Sequence, residues 1–447
     1  MNAFRKLVCR RELSGGSRGR AVVSSRGGHG ALSTAMHAHY RAFSTATRRH
    51  TVMHAWVIEK YGDNSVLRFT KNASFPIIDY PNEVIVKVHA AGLNPIDINM
   101  RGGYGAATLK MKRDPLNIKR TDSEFPLILG RDVSGVIMEC GLDVSYFKPG
   151  DEVTRCLPPL GQSDPSEVIL KDKVWAAVPP WKQGSLAEFV VLSANEVSHK
   201  PKSLSHVEAA CMPYVASTAW SVLVNTGGLN KDNCAKKRQV PDTRSAFTSL
   251  LPFILILGGS GGVGTFAIQL LKSWGAHVTV TCSQNAEHLV RGIGADDVVD
   301  YTARPVEKTL KSLENFDLIL DSIGGETESW ALSLLKPWCG AKYVTLVTPF
   351  LRNTDQLGLA DGMMRSGVTI ATKALKHLTK GVHYRWGFFA PSGSALDEIC
   401  ELVDAGKIRP VLQEQFAFPR VPRAFQKVEG GHARGKTVVT VARVQGA

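Results

Sequence analysis

The chain has 447 residues, of which 44% are hydrophobic and 21% charged, a composition typical of a folded globular protein. Its length predicts two or three domains. Its apolar runs are far shorter than the ~20 residues that a membrane-spanning helix needs, so the sequence predicts that the chain is not an integral membrane protein. The net charge of +14 raises the question of an anionic partner.

The positive charge is concentrated at the N-terminal end. Residues 1–50 contain ten Lys or Arg residues and a single acid, Glu12, whereas the remaining 397 residues contain 44 basic and 39 acidic side chains. The body of the chain is therefore close to neutral, and its charge gives no case for a protein that binds nucleic acid.

Residues 1–50 are rich in Arg and Ser and nearly free of acids, which is the composition of an organelle transit peptide. Residues 1–13 can form a short helix with an apolar stripe beside cationic side chains, and a candidate processing site follows Phe43. A disordered basic tail or mistranslated upstream sequence is the alternative. The eight cysteines form no CxxC pair and are expected to be free thiols, as in a reducing compartment. We expect a protein of the mitochondrial matrix.

Two kinds of secondary-structure pattern follow this leader. Short β-branched runs bounded by Gly, Pro or Asn predict strands at residues 54–60, 83–90, 132–139, 188–192 and 436–444. Between about residues 204 and 389, helices predicted at 265–274 and 287–293 alternate with strands predicted at 254–257, 277–281, 297–300, 318–320 and 342–348. This alternation predicts a parallel, doubly wound sheet, so the expected fold class is α/β with an additional β-rich domain.

The segment GGSGGVG, residues 258–264, is the most informative stretch of the chain. It contains a GxGxxG pattern formed by Gly259, Gly261 and Gly264, between a predicted strand and a predicted helix, which is the context that gives the pattern meaning. Small residues let the backbone approach a pyrophosphate, and a helix N-terminus near Val263 supplies free N–H groups and the positive end of a dipole. A Gly-rich turn without a ligand is the alternative. The context favours a dinucleotide-binding site.

The end of the next predicted strand distinguishes NADH from NADPH. Sites for NADH usually carry Asp or Glu there, whereas residues 280–285 read VTCSQN and contain no acid. A carboxylate would repel a 2′-phosphate, while Ser283 can donate a hydrogen bond to one. Tyr301, after the third strand, can stack or bond at the same place. The sequence therefore favours NADPH, although no Arg or Lys lies beside Ser283.

Five short motifs follow one another along the chain: GLNPID at 92–97, LGRDVSG at 129–135, PGDEV at 149–153, GSLAE at 184–188 and the glycine-rich segment at 258–264. Together they resemble the medium-chain dehydrogenase/reductases, and specifically their zinc-free quinone-oxidoreductase branch. The resemblance extends from about residue 51 to residue 441. It implies a GroES-like catalytic domain, formed by residues 51–203 and 390–447, with a Rossmann domain of residues 204–389 inserted into it.

Two segments depart from the family pattern. Residues 154–174 and 239–253 lie where relatives have almost nothing, and neither shows helical or strand periodicity. We expect surface loops at both places, with translation of retained introns as the alternative.

The residue types decide the expectation for zinc. Zinc-dependent relatives carry a Cys in the segment that matches residues 94–97 and a Gly-His-Glu where this chain has Gly130, Arg131 and Asp132. These residues offer neither a thiolate nor an imidazole. A catalytic zinc needs three protein ligands and an open fourth position, so no metal is expected.

Without zinc, another group must supply a proton or stabilise the charge left by hydride transfer. Tyr104 resembles the tyrosine of zinc-free enoyl reductases, and a phenol can donate a proton to developing negative charge. A loop aromatic that shapes the pocket is the alternative. Asn94 and Asp97 complete the predicted catalytic set and are expected to order the active-site loop. The neighbouring residues Arg131 and Asp132 are expected to do the same through an internal ion pair.

The resemblance also implies which residues contact the cofactor. It assigns the pyrophosphate to Ser260, Gly261, Gly262 and Val263, the 2′-phosphate to Ser283 and Tyr301, and the nicotinamide to Ile323, Gly324, Val347, Phe388 and Phe389.

Two functions remain open on the sequence alone. The first is an NADPH-dependent reductase of a quinone or an activated α,β-unsaturated carbonyl, to which the resemblance adds a link with ubiquinone biosynthesis. The second is a catalytically weak NADPH-binding protein that acts through a protein partner, for which the resemblance implies a reticulon-family protein. No nucleic-acid partner is expected, and the family implies homodimers built through the Rossmann sheets.

Overall fold

A computed structural model describes residues 52–113, 124–147, 172–235, 238–240, 248–303 and 306–442. The contacts of the chain separate Met1–Thr51 from Val52–Ala447, and every described residue belongs to the second unit. The expected leader helix at residues 1–13 and the PGDEV motif at 149–153 lie outside the described residues.

The elements are numbered in chain order. The strands are β1 (Val52–Ile58), β2 (Arg68–Ser74), β3 (Glu83–Leu93), β4 (Leu127–Ile128), β5 (Asp132–Cys140), β6 (Lys173–Ala177), β7 (Phe189–Ser193), β8 (Val197–His199), β9 (Arg238–Val240), β10 (Thr248–Leu250), β11 (Phe253–Leu257), β12 (His277–Cys282), β13 (Asp297–Asp300), β14 (Leu318–Asp321), β15 (Lys342–Thr345), β16 (His383–Trp386), β17 (Leu412–Ala417) and β18 (Lys436–Thr440). The helices are α1 (Pro95–Arg101), α2 (Ala106–Arg113), α3 (His206–Ala209), α4 (Pro213–Trp220), α5 (Lys231–Ala235), α6 (Gly262–Trp274), α7 (Glu287–Gly292), α8 (Val306–Lys311), α9 (Thr327–Ala331), α10 (Phe350–Leu357), α11 (Leu359–Leu378), α12 (Gly393–Asp404) and α13 (Val421–Glu429).

The β-rich domain is organised around β3. Its main sheet has the strand order β17-β18-β3-β5-β6-β8, with β7 pairing beside β3, and a smaller sheet has the order β2-β1-β4. β18 runs antiparallel to β3 and parallel to β17. The last strand of the chain therefore lies inside a sheet whose other strands, apart from β17, come from its first half.

The second domain contains a sheet with the order β13-β12-β11-β14-β15-β16, in which every neighbouring pair is parallel. The chain moves outward from β11 first in one direction and then in the other. Ligands of such sheets bind outside the carboxyl ends of the strands at the point of reversal, which here is the gap between β11 and β14. The expected α/β class, with a β-rich domain and a doubly wound parallel sheet, is confirmed.

Two strands are shorter than expected, for local reasons. β15 ends at Thr345 because the chain turns there, and the N–H of Val347 donates to Thr345 Oγ1. β18 ends at Thr440 because the N–H groups of Val441 and Ala442 both donate to the carbonyl of His89. β16, the sixth strand of the parallel sheet, was not expected as a strand, since its sequence HYRW contains none of the β-branched residues on which the other strands were predicted.

The two segments that depart from the family pattern contain more regular structure than expected. β6 begins at Lys173, inside the segment 154–174. β9 and β10 pair antiparallel, and β11 begins at Phe253, so the segment 239–253 includes strand residues. The expectation of no periodic element was wrong for these parts.

One helical stretch of the described residues, His206–Thr226, has the length and mean hydropathy, 1.3, of a membrane-spanning helix. It is 72% buried inside the protein. Burial of this kind is typical of a core helix, so the stretch is weak evidence for a membrane span.

Helix α11 offers a stability prediction. A Cβ at Gly367 would meet no heavy atom within 4 Å, whereas one at Gly362, on the same helix, would lie 2.5 Å from Thr354 Cα. Gly367→Ala is therefore expected to stabilise the protein by about 0.5–1 kcal/mol, because glycine is costly in a helix interior. Gly362→Ala should destabilise it. The midpoints of urea unfolding of the two variants test these opposite expectations, and equal midpoints would contradict them.

Candidate active site

The glycine-rich segment forms the turn between β11 and α6. Gly258 has a φ of +93°, which side-chain-bearing residues rarely adopt, and a Cβ there would lie 2.6 Å from Ser322 Oγ. A Cβ at Gly264 would lie 2.3 Å from the carbonyl oxygen of Gly258. Glycine is therefore required at Gly258 by its backbone conformation and by Ser322, and at Gly264 by the close approach of the strand end to the first turn of the helix.

The other face of this turn is open. α6 begins at Gly262 with Gly261 as its N-cap, so the first N–H groups have no partner inside the helix. A Cβ on Gly261 would lie 3.9 Å from its nearest protein neighbour, the carbonyl oxygen of Gly258. The described first turn contains no acid, which leaves the positive end of the helix dipole free for an anion. The turn therefore fits a pyrophosphate, and its Ser260 carbonyl accepts from the N–H of Gly435 (3.2 Å) in the β-rich domain.

Ser283 and Tyr301 follow the neighbouring strands β12 and β13. The N–H of Tyr301 donates to the carbonyl of Cys282 (3.1 Å), and the Tyr301 side chain is half exposed. Asp300, which pairs in register with Cys282, was not expected at this site. The N–H and hydroxyl of Thr302 donate to its carboxylate (2.8 and 2.7 Å) and lower the pKa of Asp300. An ionised acid thus lies on the strand next to Ser283.

Ile323, Gly324 and Val347 come together where β14 and β15 end. The N–H groups of Ile323 and Gly324 donate to Asp321 Oδ1 (2.8 and 3.0 Å). Gly324 has a φ of +69°, and a Cβ there would lie 2.7 Å from Val347. Ile323 and Val347 are about half exposed. Ile323 and Val347 form an apolar surface at the carboxyl edge of the sheet, and Gly324 is buried beside Val347.

Asp321, the last residue of β14, was missed by the sequence analysis. It is fully buried and also accepts a hydrogen bond from the hydroxyl of Tyr343. Burial and the Asp321 carboxylate together raise the pKa of Tyr343, so this phenol stays a donor to Asp321. The carboxylate therefore fixes the turn that contains Ile323 and Gly324.

Phe388 and Phe389 follow β16 and contact other aromatic rings. Phe389 stacks on Tyr214, with ring centroids 4.2 Å apart and an interplanar angle of 12°. Phe388 is half exposed and packs edge-on against Phe350 and Trp386. All the residues expected to contact the cofactor thus lie at the carboxyl ends of the parallel strands.

Lys436 of β18 joins the residues of the active-site loop to β5. Its Nζ donates to Asp132 Oδ2 (2.8 Å), Asn94 Oδ1 (2.5 Å) and the carbonyl of Leu93 (2.9 Å). Asn94 Nδ2 donates to the same Asp132 oxygen (2.7 Å). Because Lys436 and Asp132 are both buried, this ion pair is shielded from water.

The expected ion pair between Arg131 and Asp132 is not formed. Asp132 pairs with Lys436, whereas Arg131 Nε lies 3.5 Å from Asp97 Oδ1. Neighbouring residues on extended backbone point in opposite directions, which explains the different partners. The guanidinium of Arg131 also donates to three backbone carbonyls, those of Ile128, Pro179 and Lys182.

Asn94 and Asp97 begin α1. The N–H of Asn94 donates to Asp97 Oδ2 (2.9 Å), and the N–H of Gly130 donates to Asp97 Oδ1 (2.7 Å). Burial raises the pKa of Asp97, and the Arg131 guanidinium opposes this. With 2% and 0% of their surfaces exposed, Asn94 and Asp97 are positioned to hold the loop and not to touch a substrate.

Tyr104 lies in the turn between α1 and α2, flanked by Gly103 and Gly105, whose φ values are +93° and +79°. Its side chain is half-buried. Burial raises the pKa of Tyr104, the Asp355 carboxylate raises it further, and the Arg352 guanidinium opposes them. The phenol is therefore protonated at neutral pH, as a proton donor must be.

Burial raises the pKa of Tyr214, the residue that stacks on Phe389, and Tyr104 is near enough to raise it further once Tyr104 is ionised. This places the candidate proton donor close to the residues expected at the nicotinamide. Tyr214, which carries no local motif, was missed by the sequence analysis. In the described parts of the chain, no group of three or more His, Cys, Asp or Glu side chains could hold a metal ion.

Comparisons with known proteins identify the family and the fold. The family model "Alcohol dehydrogenase GroES-like domain" matches residues 80–202, and "Zinc-binding dehydrogenase" matches residues 293–439. The mitochondrial NAD(P)H oxidoreductase RTN4IP1 of Danio rerio is 70% identical over 414 residues, which cover 93% of this chain and 98% of that one. The Homo sapiens protein of the same name is 63% identical over 401 residues, which cover 90% of this chain and 92% of that one. The chain belongs to the family of these NAD(P)H oxidoreductases.

It is thus a nicotinamide-dependent oxidoreductase of the medium-chain dehydrogenase/reductase superfamily, as the motifs predicted. Its mitochondrial localisation is confirmed as well. Among solved structures, the quinone oxidoreductase from Coxiella burnetii has a TM-score of 0.64 at 24% identity, covering 88% of this chain and all of that one. The CurK enoyl reductase has a TM-score of 0.63 at 20% identity, with the same coverage. At these identities the likeness shows the fold alone.

Proposed function

We propose that the protein is an NADPH-dependent, zinc-independent reductase of the mitochondrial matrix that transfers hydride to a quinone or an activated α,β-unsaturated carbonyl. The observation that carries the proposal is the protonated, half-buried phenol of Tyr104, which is near enough to Tyr214 to raise its pKa when ionised, while Tyr214 stacks on Phe389. A quinone substrate would connect the reaction to ubiquinone biosynthesis.

The open N–H groups of residues 260–263 would hold the pyrophosphate, and Ser283 with Tyr301 would hold the 2′-phosphate. When bound, the cofactor supplies the hydride. The nicotinamide would be lined by the residues at the ends of β14, β15 and β16, namely Ile323, Gly324, Val347, Phe388 and Phe389.

The protein's own contribution is a proton and a cleft of low water content. Addition of hydride to a quinone or enone leaves negative charge on the substrate, and one proton completes the reduction. Tyr104 donates that proton from its hydroxyl, and the resulting phenolate regains one from solvent. The exposed ring of Phe388, packed against Phe350 and Trp386, offers a flat apolar surface to an unsaturated substrate.

Turnover tests this function directly. The chain from residue 44 onward is assayed for oxidation of NADPH with a panel of quinones and enones, and the products are identified by mass. We expect reduction of at least one of the two classes, with a two-electron product. NADPH binding without oxidation by any member of the panel would overturn the proposal.

Cofactor choice gives a separate prediction. Ser283→Asp is expected to weaken NADPH binding roughly 10- to 100-fold, because a second carboxylate beside the ionised Asp300 would repel a 2′-phosphate. NADH binding should be maintained, since an acid at this position can accept from the ribose hydroxyls.

Fluorescence titration of the nicotinamide measures both affinities. Ser312→Asp is the matched control, because Ser312 precedes β14 and so lies toward the opposite end of the sheet from Ser283. A uniform loss of affinity for both cofactors in Ser283→Asp would contradict the assignment.

A second candidate function, an NADPH-binding protein that acts through a partner, is favoured by the surface of α11. Along this helix Met364, Val368, Ala371, Leu375 and Leu378 recur at alternating spacings of four and three residues, and all five are exposed. A relative from Caenorhabditis elegans is named "Reticulon-4-interacting protein 1, mitochondrial". This function predicts cofactor binding without turnover and a reticulon-family protein as the partner.

A further inference from the structure

The turn that contains Tyr104 is held by a side chain from the other domain. α2 begins at Ala106, directly after this turn. Asp355 of α10 accepts hydrogen bonds from the N–H of Gly105 (2.6 Å) and from the N–H of Ala107 (3.1 Å). The first N–H groups of a helix have no partner within it, and a carboxylate is the favoured group there because of the helix dipole. Asp355 thus caps α2 although it lies some 250 residues later in the chain.

Two further contacts fix α10 against α2. The hydroxyl groups of Thr108 and Thr354 lie 2.8 Å apart, and both residues are buried. Gly105 also packs closely against α10, since a Cβ at this position would lie 3.3 Å from Leu351 Cδ1. The contact is therefore a fitted interface and not a single surface hydrogen bond.

α10 is connected to the parallel sheet by a short segment. It begins five residues after β15 ends, and the connection contains Val347, one of the residues expected at the nicotinamide. α10 also packs against α11, where Gly362 approaches the backbone of Thr354 and Asn353 Nδ2 donates to Ser366 Oγ (3.0 Å). The position of Tyr104 is thus coupled to the position of the cofactor side of the cleft.

We propose that Asp355 is the positioning residue for Tyr104, capping α2 across the cleft so that the phenol faces the cofactor side. This inference rests on the proposed function, in which Tyr104 donates the proton. Asp355 acts on the reaction only through Tyr104 and the turn around it.

The electrostatics around Tyr104 add to this geometry. Besides burial, the Asp355 carboxylate raises the pKa of the phenol, while the Arg352 guanidinium, three residues earlier on α10, lowers it. On α4, Tyr214 faces the same phenol, and ionisation of Tyr104 would raise the pKa of Tyr214. A general acid is active only while protonated, so activity is lost as the pH rises through its pKa. Asp355 therefore extends the active range of Tyr104 upward, and Arg352 limits it.

Three variants separate the cap from the charge. Asp355→Ala removes both and is expected to lower kcat about 10- to 100-fold with NADPH affinity unchanged, because a displaced proton donor loses its geometry. Asp355→Asn removes the charge but keeps one oxygen that can accept from an N–H group of the cap, so it should retain more of kcat than Asp355→Ala does. It should nevertheless lose activity at a lower pH than the unaltered protein. Arg352→Gln should lose activity at a higher pH. Asp361→Ala, an exposed acid on α11, is the matched control.

A measurement without turnover distinguishes this inference from the proposed function. The protein is labelled with ¹³C at the tyrosine ring, and the Tyr104 resonance is assigned by its absence in Tyr104→Phe. In the cofactor-free protein, Asp355→Asn should move the titration of that resonance to lower pH, and Arg352→Gln to higher pH. General loss of structure would not produce opposite shifts.

The outcomes are separable. If Asp355→Ala leaves both kcat and the Tyr104 resonance unchanged, the positioning role of Asp355 is overturned. If the resonance responds as expected while Tyr104→Phe retains full turnover, Asp355 positions Tyr104 but the proposed proton donor is wrong. If Asp355→Ala does not fold, the opposite pH shifts of Asp355→Asn and Arg352→Gln still decide the question, and shifts in the same direction would overturn the inference.

Discussion

Tyr104→Phe is expected to lower kcat by about 10²- to 10⁴-fold, the usual contribution of a positioned general acid. The substitution removes one hydroxyl and leaves the ring that fills the turn between Gly103 and Gly105, so NADPH affinity and the unfolding midpoint should be unchanged. Steady-state kinetics with the best substrate of the turnover panel measure the effect. The raised pKa of Tyr104 adds a second expectation, that kcat of the unaltered protein stays constant through neutral pH and falls only under alkaline conditions.

Tyr80→Phe provides the control for Tyr104→Phe, since it removes a hydroxyl from a mostly exposed side chain of the β-rich domain. Its kinetics should equal those of the unaltered protein. If Tyr104→Phe behaves like Tyr80→Phe, the phenol is not the proton donor. Full cofactor binding together with negligible turnover in the unaltered protein would instead favour the partner-binding function.

Lys436→Met is expected to destabilise the protein by about 3–5 kcal/mol, the cost of removing one member of a buried ion pair. The ammonium of Lys436 donates to Asp132, Asn94 and the carbonyl of Leu93. Without it, the fully buried Asp132 carboxylate keeps hydrogen bonds from Asn94 and from the N–H of Tyr214 but loses its counter-charge. Midpoints of urea unfolding, followed by near-ultraviolet circular dichroism, measure the loss.

Two comparisons test the reason for that loss. Lys427→Met removes an exposed lysine 3.9 Å from Glu414 and should cost less than about 1 kcal/mol. The double variant Lys436→Met with Asp132→Asn should lose less than the sum of the two single variants, because it removes both charges. Strict additivity would show that the ion pair is not the cause.

The parts of the site that the sequence predicted are those built from consecutive residues. The glycine-rich turn depends on chain neighbours, so Gly258 to Gly264 could be interpreted from spacing alone. The hydrogen-bond and ion-pair partners of single polar residues could not be predicted from spacing. The nearest base to Asp132 in the sequence is Arg131, but the base that pairs with it is Lys436, which pairing between β18 and β3 brings to the loop.

Tyr214 and Asp355 were missed for the same reason. Neither belongs to a motif, and each acquires its role from a packing contact between elements distant in the chain. Strand ends were misjudged where a side chain or carbonyl captures the next N–H group, as Thr345 does for Val347. Such competition between ladder and turn hydrogen bonds depends on geometry that no residue pattern encodes.

The place of β18 has a consequence for how the protein is made. Chains are synthesised from the N-terminus, so β3 and β5 leave the ribosome long before the residues that complete their sheet exist. Until then the part of β3 that pairs with β18, residues 90–93, has an unpaired edge, which is a template for aggregation. Asp132 also lacks the ammonium group of Lys436 that neutralises it. The entire nucleotide-binding domain is translated in the meantime. A stop codon only a few residues early, before Lys436, would therefore leave the first domain unfinished although almost all of the chain had been produced.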